Sequence, residues 1–150
     1  MVFSQLGQRT LLIDADFRAP RQQSIFNIPD RFGLSSALSG RADLSVALPV
    51  SGLTGLAVLP AGPIPPNPLE LLSRASFAAL LARAQAEYDT ILIDTPPTTE
   101  YADAACIAFR AGDALLVVRQ DHTQVARTER AVRDLTDGSA RIVGTVMNAY

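Results

Sequence analysis

Three carboxylates stand where chemistry is most easily built. Asp14 and Asp16 form a D-x-D pair directly after the apolar run Leu11-Leu12-Ile13, and Asp94 follows Ile91-Leu92-Ile93. Short apolar runs that end in an acid read as buried strands whose carboxyl ends carry charge. In open α/β sheets the ligand crevice lies beyond those strand ends. Carboxylates two apart on a strand exit can both face that crevice, and three acids around one cavity repel each other unless a cation joins them. Mg²⁺ is the natural choice, because it takes a few carboxylates and keeps its waters for phosphate oxygens. A carboxylate left free of the metal can serve as a general base. A single Asp at a strand exit more often caps the next helix; the three together favour a site.

The elements that must position these acids alternate along the chain. Further strand-like runs are Leu56 to Leu59, Ala114 to Val118 and Arg141 to Met147. Runs without alternation suit strands buried on both faces, the habit of parallel sheets. Between them, Phe77, Leu80, Leu81, Ala84 and Tyr88 keep helical spacing, as do Thr128, Ala131, Val132 and Leu135, with Gly138 as a C-cap. Asn67-Pro68-Leu69-Glu70 predicts a helix start, with Asn67 capping and Glu70 reaching back. Asp103 to Arg110 predicts a short helix closed by Gly112. The order implies a single α/β domain over residues 1–150, a doubly wound, mostly parallel sheet with helices on both faces. Val2, Phe3, Leu6 and Gly7 read as the last turns and C-cap of an amphipathic helix too short to hold alone. The sequence therefore predicts residues before it, and the far end stops after a strand with no covering helix.

Composition removes several classes. The chain has 150 residues, with 13 basic against 15 acidic side chains, and is 48% hydrophobic, enough for a packed core. Its near-neutral balance offers no footprint for nucleic acid. No apolar run is long enough to span a bilayer, and no signal peptide is visible. A single cysteine excludes a disulfide framework, and a single histidine excludes a His-rich metal site within one chain. All basic residues are arginine; there is no lysine. Haloacid-dehalogenase phosphatases share the apolar strand and D-x-D, and receiver domains gather acids at strand ends. Both need a lysine that is not present. P-loop NTPases also use a lysine, but in a phosphate loop that precedes the segment seen here.

Leu11-Leu12-Ile13-Asp14-Ala15-Asp16-Phe17-Arg18-Ala19-Pro20 resembles the Walker A′ motif of bacterial tyrosine kinases from capsule and exopolysaccharide systems, and Ile91 to Pro97 resembles their Walker B motif. Leu59 to Gly62 with Pro65-Pro66-Asn67-Pro68-Leu69-Glu70-Leu71-Leu72 is similar to their G-x-x-P-P-N-P-x-E-L-L stretch. Leu115 to Arg119 and Gly144 to Asn148 are similar to two later strands. The resemblance covers nearly the whole chain, most strongly with kinases paired with a chain-length-determinant protein. The PPNP segment separates this group from partition-type ATPases that share both Walker patterns.

The resemblance implies a P-loop NTPase-like fold, here without its first strand and phosphate loop, and an autophosphorylating, ATP-dependent protein-tyrosine kinase that regulates exopolysaccharide or capsule biosynthesis. It implies ATP and Mg²⁺ as cofactors. Asp14 would accept the tyrosine proton or order metal water, and Asp16 and Asp94 would hold Mg²⁺. Arg18 would lie near the phosphates and Asn148 near the adenine. A membrane chain-length-determinant protein and neighbouring kinase subunits are the implied partners, with a cytoplasmic chain recruited to the inner membrane face. The family's G-x-x-x-x-G-K-S/T loop does not occur in these residues, so this chain alone is expected to be inactive; a non-catalytic remnant or interaction module, and a partition-type ATPase, are the alternatives. The family's strand before that loop lies between the Walker B strand and the one matching 114–118. Without it, residues 91–93 are expected to pair directly with 115–118 or with a strand from another chain. Among smaller features, Tyr88 reads as packing, Cys106 as a buried small apolar residue and His122 as surface or cap. Arg127, Arg130 and Arg133 read as a solvated helix face. Tyr101 and Tyr150 are the other tyrosines, and the family's tyrosine-rich tail is absent from these residues.

Overall fold

Leu11 and Ile13 are fully buried, and the run that contains them forms β1 (Thr10–Asp14), an inner strand of a four-stranded sheet. A computed structural model describes residues 2–149; Tyr150 lies outside the described residues. The chain divides into two compact units, Met1–Pro96 and Pro97–Tyr150.

In the first unit α1 (Val2–Gln5) precedes β1, and the short helices α2 (Gln22–Ile25) and α3 (Leu34–Leu38) follow it. Next come the two-residue β2 (Leu48–Pro49), β3 (Leu56–Leu59), α4 (Pro68–Ser73), α5 (Ala75–Glu87) and β4 (Thr90–Asp94). The strand order is β2-β3-β1-β4. β3 and β4 flank β1 in parallel, and β2 is antiparallel to β3. The core gathers Leu11, Ile13, Phe17, Leu34, Val58, Leu59, Leu72 and Phe77, all nearly inaccessible. On α5 the buried side chains are Phe77, Leu80, Leu81 and Ala84, one face of an alanine-rich helix.

Two close approaches shape the carboxyl end of this sheet. Leu34 N–H donates to Pro60 O at 2.8 Å and Ser35 N–H to Ala61 O at 2.9 Å, tying the segment after β3 to α3. A Cβ on Gly33 would lie 2.2 Å from Pro60 O and 2.5 Å from Gly62 N, so only glycine fits there. At the opposite end Arg9 embraces Asp89: its Nε and Nη2 reach the two carboxylate oxygens at 3.2 and 2.7 Å, and its N–H adds a bond of 2.9 Å.

The second unit runs α6 (Asp103–Ala111), β5 (Asp113–Arg119), α7 (Val125–Asp137) and β6 (Arg141–Asn148). β5 and β6 pair in parallel, with an irregularity where Leu115 meets Gly144. Its core is Ala108, Leu116, Ala131, Leu135 and Ala140.

Several expectations need correction. β1 is buried at every residue but the half-buried Leu12, whereas β4, β5 and β6 are far more open: Leu92 is 39%, Leu115 57% and Val117 62% exposed. Direct pairing of 91–93 with 115–118 does not occur, since β4 and β5 belong to separate sheets. Buried, unpaired backbone groups are costly, but β4 takes β1 as its partner and β5 takes β6, and both strands keep exposed side chains. Asn67 makes no side-chain cap. Its Nδ2 donates to Glu70 Oε2 at 3.2 Å, while Pro68 does occupy the first turn. Gly138 follows α7 with φ −75°, and the left-handed turn residue is Ser139 at φ 63°. Gly112 does close α6, with φ 85°. Cys106 is half-buried rather than buried, Tyr88 is half-buried, and Arg127, Arg130 and Arg133 are exposed.

Candidate functional site

Parallel pairing puts like charges side by side at the exit of β1 and β4. The register runs Thr10↔Thr90 through Asp14↔Asp94, so the two acids that end these strands are direct neighbours. Ala15 N–H donates to Asp94 O at 2.9 Å and continues the ladder one residue further. The β1 strand ends because the chain then turns over its own acids. Asp16 Oδ1 accepts from the N–H groups of Arg18 at 2.9 Å and Ala19 at 3.0 Å, a local turn that lifts residues 17–21 off the sheet.

Asp14 has no accessible surface. Its Oδ1 accepts from Asp16 N–H at 3.2 Å, and its Oδ2 accepts from Arg21 N–H at 3.1 Å and Gln22 N–H at 3.0 Å. It thus caps the first turn of α2 from the end of β1, joining a capping role to its place in the acid pair. Burial pushes the Asp14 carboxyl above the ordinary aspartate range. The N–H of Gln22 and then that of Asp16 pull it down, the Asp94 charge pushes it up again, and Arg21 N–H adds a smaller downward pull.

Asp94 is half-buried, and its Oδ2 accepts from Gln22 Nε2 at 2.7 Å. Gln22 therefore bonds both facing acids, one through its backbone and one through its side chain. Sequence reasoning missed it. Eight residues beyond Asp14 and without charge, it carries no periodic or motif signal, and only the turn over 17–21 brings it back. Arg18 is exposed, with its N–H on Asp16. Asn148 lies in the second unit, where it ends β6 opposite Arg119, and its carbonyl accepts from Gln120 N–H at 2.8 Å. His122 is exposed, and the Thr123 hydroxyl accepts from Arg119 N–H at 2.8 Å.

Among the described residues no group of three or more His, Cys, Asp or Glu side chains is disposed to hold a metal ion. Mg²⁺ needs fewer protein ligands than that, because it is usually held by one or two carboxylates together with substrate phosphates and water. The hydrogen bonds described for Asp94 and Asp16 fall on Asp94 Oδ2 and Asp16 Oδ1, and each acid has a second oxygen. Two hard oxygens beside a buried third charge fit such a cation, with Asp14 behind them.

No family profile matches the chain. A putative tyrosine-protein kinase, CapB of Staphylococcus aureus, is 34% identical over 148 residues, covering 99% of this chain and 65% of that protein. The tyrosine-protein kinase YwqD of Bacillus subtilis is 36% identical over 148 residues, 99% of this chain and 62% of its own length. The chain thus spans slightly less than two thirds of these relatives. The crystal structure of the VpsO kinase domain superimposes with a TM-score of 0.92 at 34% identity, covering 99% of this chain and 73% of that one. The Pyrococcus furiosus cell-division ATPase MinD shares the fold, with a TM-score of 0.80 at 22% identity. The mostly parallel sheet with flanking helices is that of the P-loop NTPase-like proteins, and by identity, coverage and superposition the chain belongs to the bacterial tyrosine-protein kinases.

Proposed function

We propose that this chain carries the acidic part of the catalytic site of an ATP-dependent protein-tyrosine kinase, and that its two units work as one catalytic domain. The observation that supports this reading best is the pairing of Asp14 with Asp94 in adjacent register at two strand exits, with Asp16 beside them. Asp94 and Asp16 hold Mg²⁺, directly or through its waters. Bound there, the cation would supply positive charge to offset that of the ATP phosphates. Asp14, whose carboxyl burial pushes above its ordinary range, would take the tyrosine proton or order a water of the metal. Arg18 faces the phosphates, and Asn148 contributes to the adenine pocket.

Phosphoryl transfer also needs a cationic cradle, in this fold a glycine-rich loop with a lysine. These 150 residues contain no lysine. Loss of one such electrostatic group typically costs about 10²–10³ in rate, so the chain by itself is catalytically silent. Its partners in this reading are neighbouring kinase subunits and a membrane chain-length-determinant protein. The setting is the cytoplasmic face of the membrane, and the process is exopolysaccharide or capsule synthesis. The names of the relatives and the PPNP segment support that setting; the likeness to MinD extends to the fold alone.

The test has two parts. The purified chain, free of host kinases, is expected to leave tyrosine unlabelled with γ-labelled ATP. In the protein as its gene encodes it, Asp14→Asn abolishes transfer while nucleotide still binds, and Asp94→Asn weakens Mg²⁺-nucleotide binding itself. Equal loss of binding in both variants refutes this division of roles. Micromolar ATP binding by the chain alone argues against an inert remnant.

A further inference from the structure

Gln22 meets the two facing acids at once, with its backbone N–H on Asp14 Oδ2 at 3.0 Å and its side-chain Nε2 on Asp94 Oδ2 at 2.7 Å. We propose that Gln22 is the positioning residue of the cation site, aiming Asp94 without spending its charge; this rests on reading Asp94 as a Mg²⁺ ligand.

The chemistry of the donor carries the inference. Strand register sets Asp14 and Asp94 side by side, and like charges so placed turn away from each other unless something holds them. An arginine or lysine would hold Asp94 but would also neutralise it and take the place of the cation. A primary amide holds it with an N–H and brings no net charge. The site keeps its full demand for a cation, while Oδ2 is fixed and Oδ1 stays open. Asp14 is part of the same device. By accepting Gln22 N–H it fixes the backbone from which the amide reaches, so the buried acid orients the half-buried one through Gln22. Groups that orient a ligating carboxylate from behind typically account for about 10–100-fold in metal affinity.

The experiment titrates the 150-residue chain with Mn²⁺ alone, following free Mn²⁺ by electron paramagnetic resonance. Wild type is expected to bind, and Asp94→Asn to abolish binding. Gln22→Met keeps the side-chain length and the N–H that caps onto Asp14. It is expected to weaken Mn²⁺ about 10–100-fold, with an unchanged circular dichroism spectrum. Gln22→Lys is expected to remove Mn²⁺ binding while raising the thermal midpoint of the metal-free chain, a pair of opposite effects that a purely structural glutamine does not produce. Wild-type Mn²⁺ affinity in Gln22→Met, or a lowered midpoint in Gln22→Lys, overturns the positioning role and leaves the cation site standing if Asp94→Asn still abolishes binding. Absence of binding in wild type, or undiminished binding in Asp94→Asn, overturns the cation site and this inference with it.

Discussion

The two ends of the β1–β4 pair are built on opposite electrostatic plans. At the amino ends Arg9 and Asp89 are exposed opposites, joined by three hydrogen bonds. Five residues along each strand, at the carboxyl ends, Asp14 and Asp94 are likes, one of them wholly buried. The first end looks after itself: each charge answers the other, and the arrangement asks for nothing more. The second is held by neutral N–H donors that satisfy the acids without discharging them. Opposite charges close on each other in water at one end, while like charges lie side by side at the other.

The sharpest way to break this contrast is to remove Asp14. Asp14→Ala leaves the N–H groups of Asp16, Arg21 and Gln22 without their acceptor, at roughly 1–3 kcal/mol for each that stays dry. Relief of a desolvated charge offsets part of this, so a net loss of about 2–4 kcal/mol is expected in urea unfolding. Arg9→Ala, at the other end, should do far less. Asp14→Asn retains a carbonyl acceptor and should cost about 1 kcal/mol. Equal losses for Asp14→Ala and Asp14→Asn would mean that the cap is not what the carboxylate supplies.

Asp94→Asn tests the facing like charges with the opposite sign. Removing one of two facing carboxylates should stabilise the metal-free chain by about 1 kcal/mol near neutral pH. The Asp14 carboxyl should move down, because the Asp94 charge is one of the causes that raise it. Carbon-detected NMR titration of the Asp14 carboxyl reads the second effect. A destabilised Asp94→Asn would show that the repulsion is not felt.

The two ends also predict opposite pH slopes. A carboxyl raised by folding, as in Asp14, favours the folded state below the ordinary value of 3.8 and loses that contribution as pH climbs through the raised value. Asp89 is lowered to about 2, first by the side-chain hydrogen bond from Arg9. Its contribution is present above 3.8 and disappears as pH falls toward 2. In urea midpoints measured against pH, Asp14→Asn should flatten the upper slope and Asp89→Asn the lower one.

The smallest effect belongs to Arg9. Its pair with Asp89 is open to solvent and screened by salt. Arg9→Ala should change unfolding only slightly at low ionic strength and not at all in molar salt. The Asp89 carboxyl should meanwhile rise toward the ordinary range, held part-way down by the residue-9 N–H that alanine retains, which makes NMR titration the more sensitive measurement. A large stability loss in Arg9→Ala would erase the distinction between the two ends.

Residue type and local spacing were enough to mark every strand but β2, the helices α5, α6 and α7, and the acids Asp14, Asp16 and Asp94 as candidates, because burial periodicity and strand-end placement are written along a single stretch of chain. The same information sufficed for the resemblance to tyrosine kinases, which rests on contiguous motifs. What the sequence could not convey depends on where distant segments meet. The direct adjacency of Asp14 and Asp94 comes from the parallel register of strands 80 residues apart. Gln22 gains its place only after the turn at Asp16 folds it back over both acids. The exposure of β4 and β5 likewise contradicted their uninterrupted apolar runs: such a run records that a strand can be buried, and only its packing partners decide whether it is. Asp14 shows both sides at once. Its position after an apolar run marked it as functional, but its commitment to three N–H groups, and the upward push on its proton, arise from burial that no local pattern encodes.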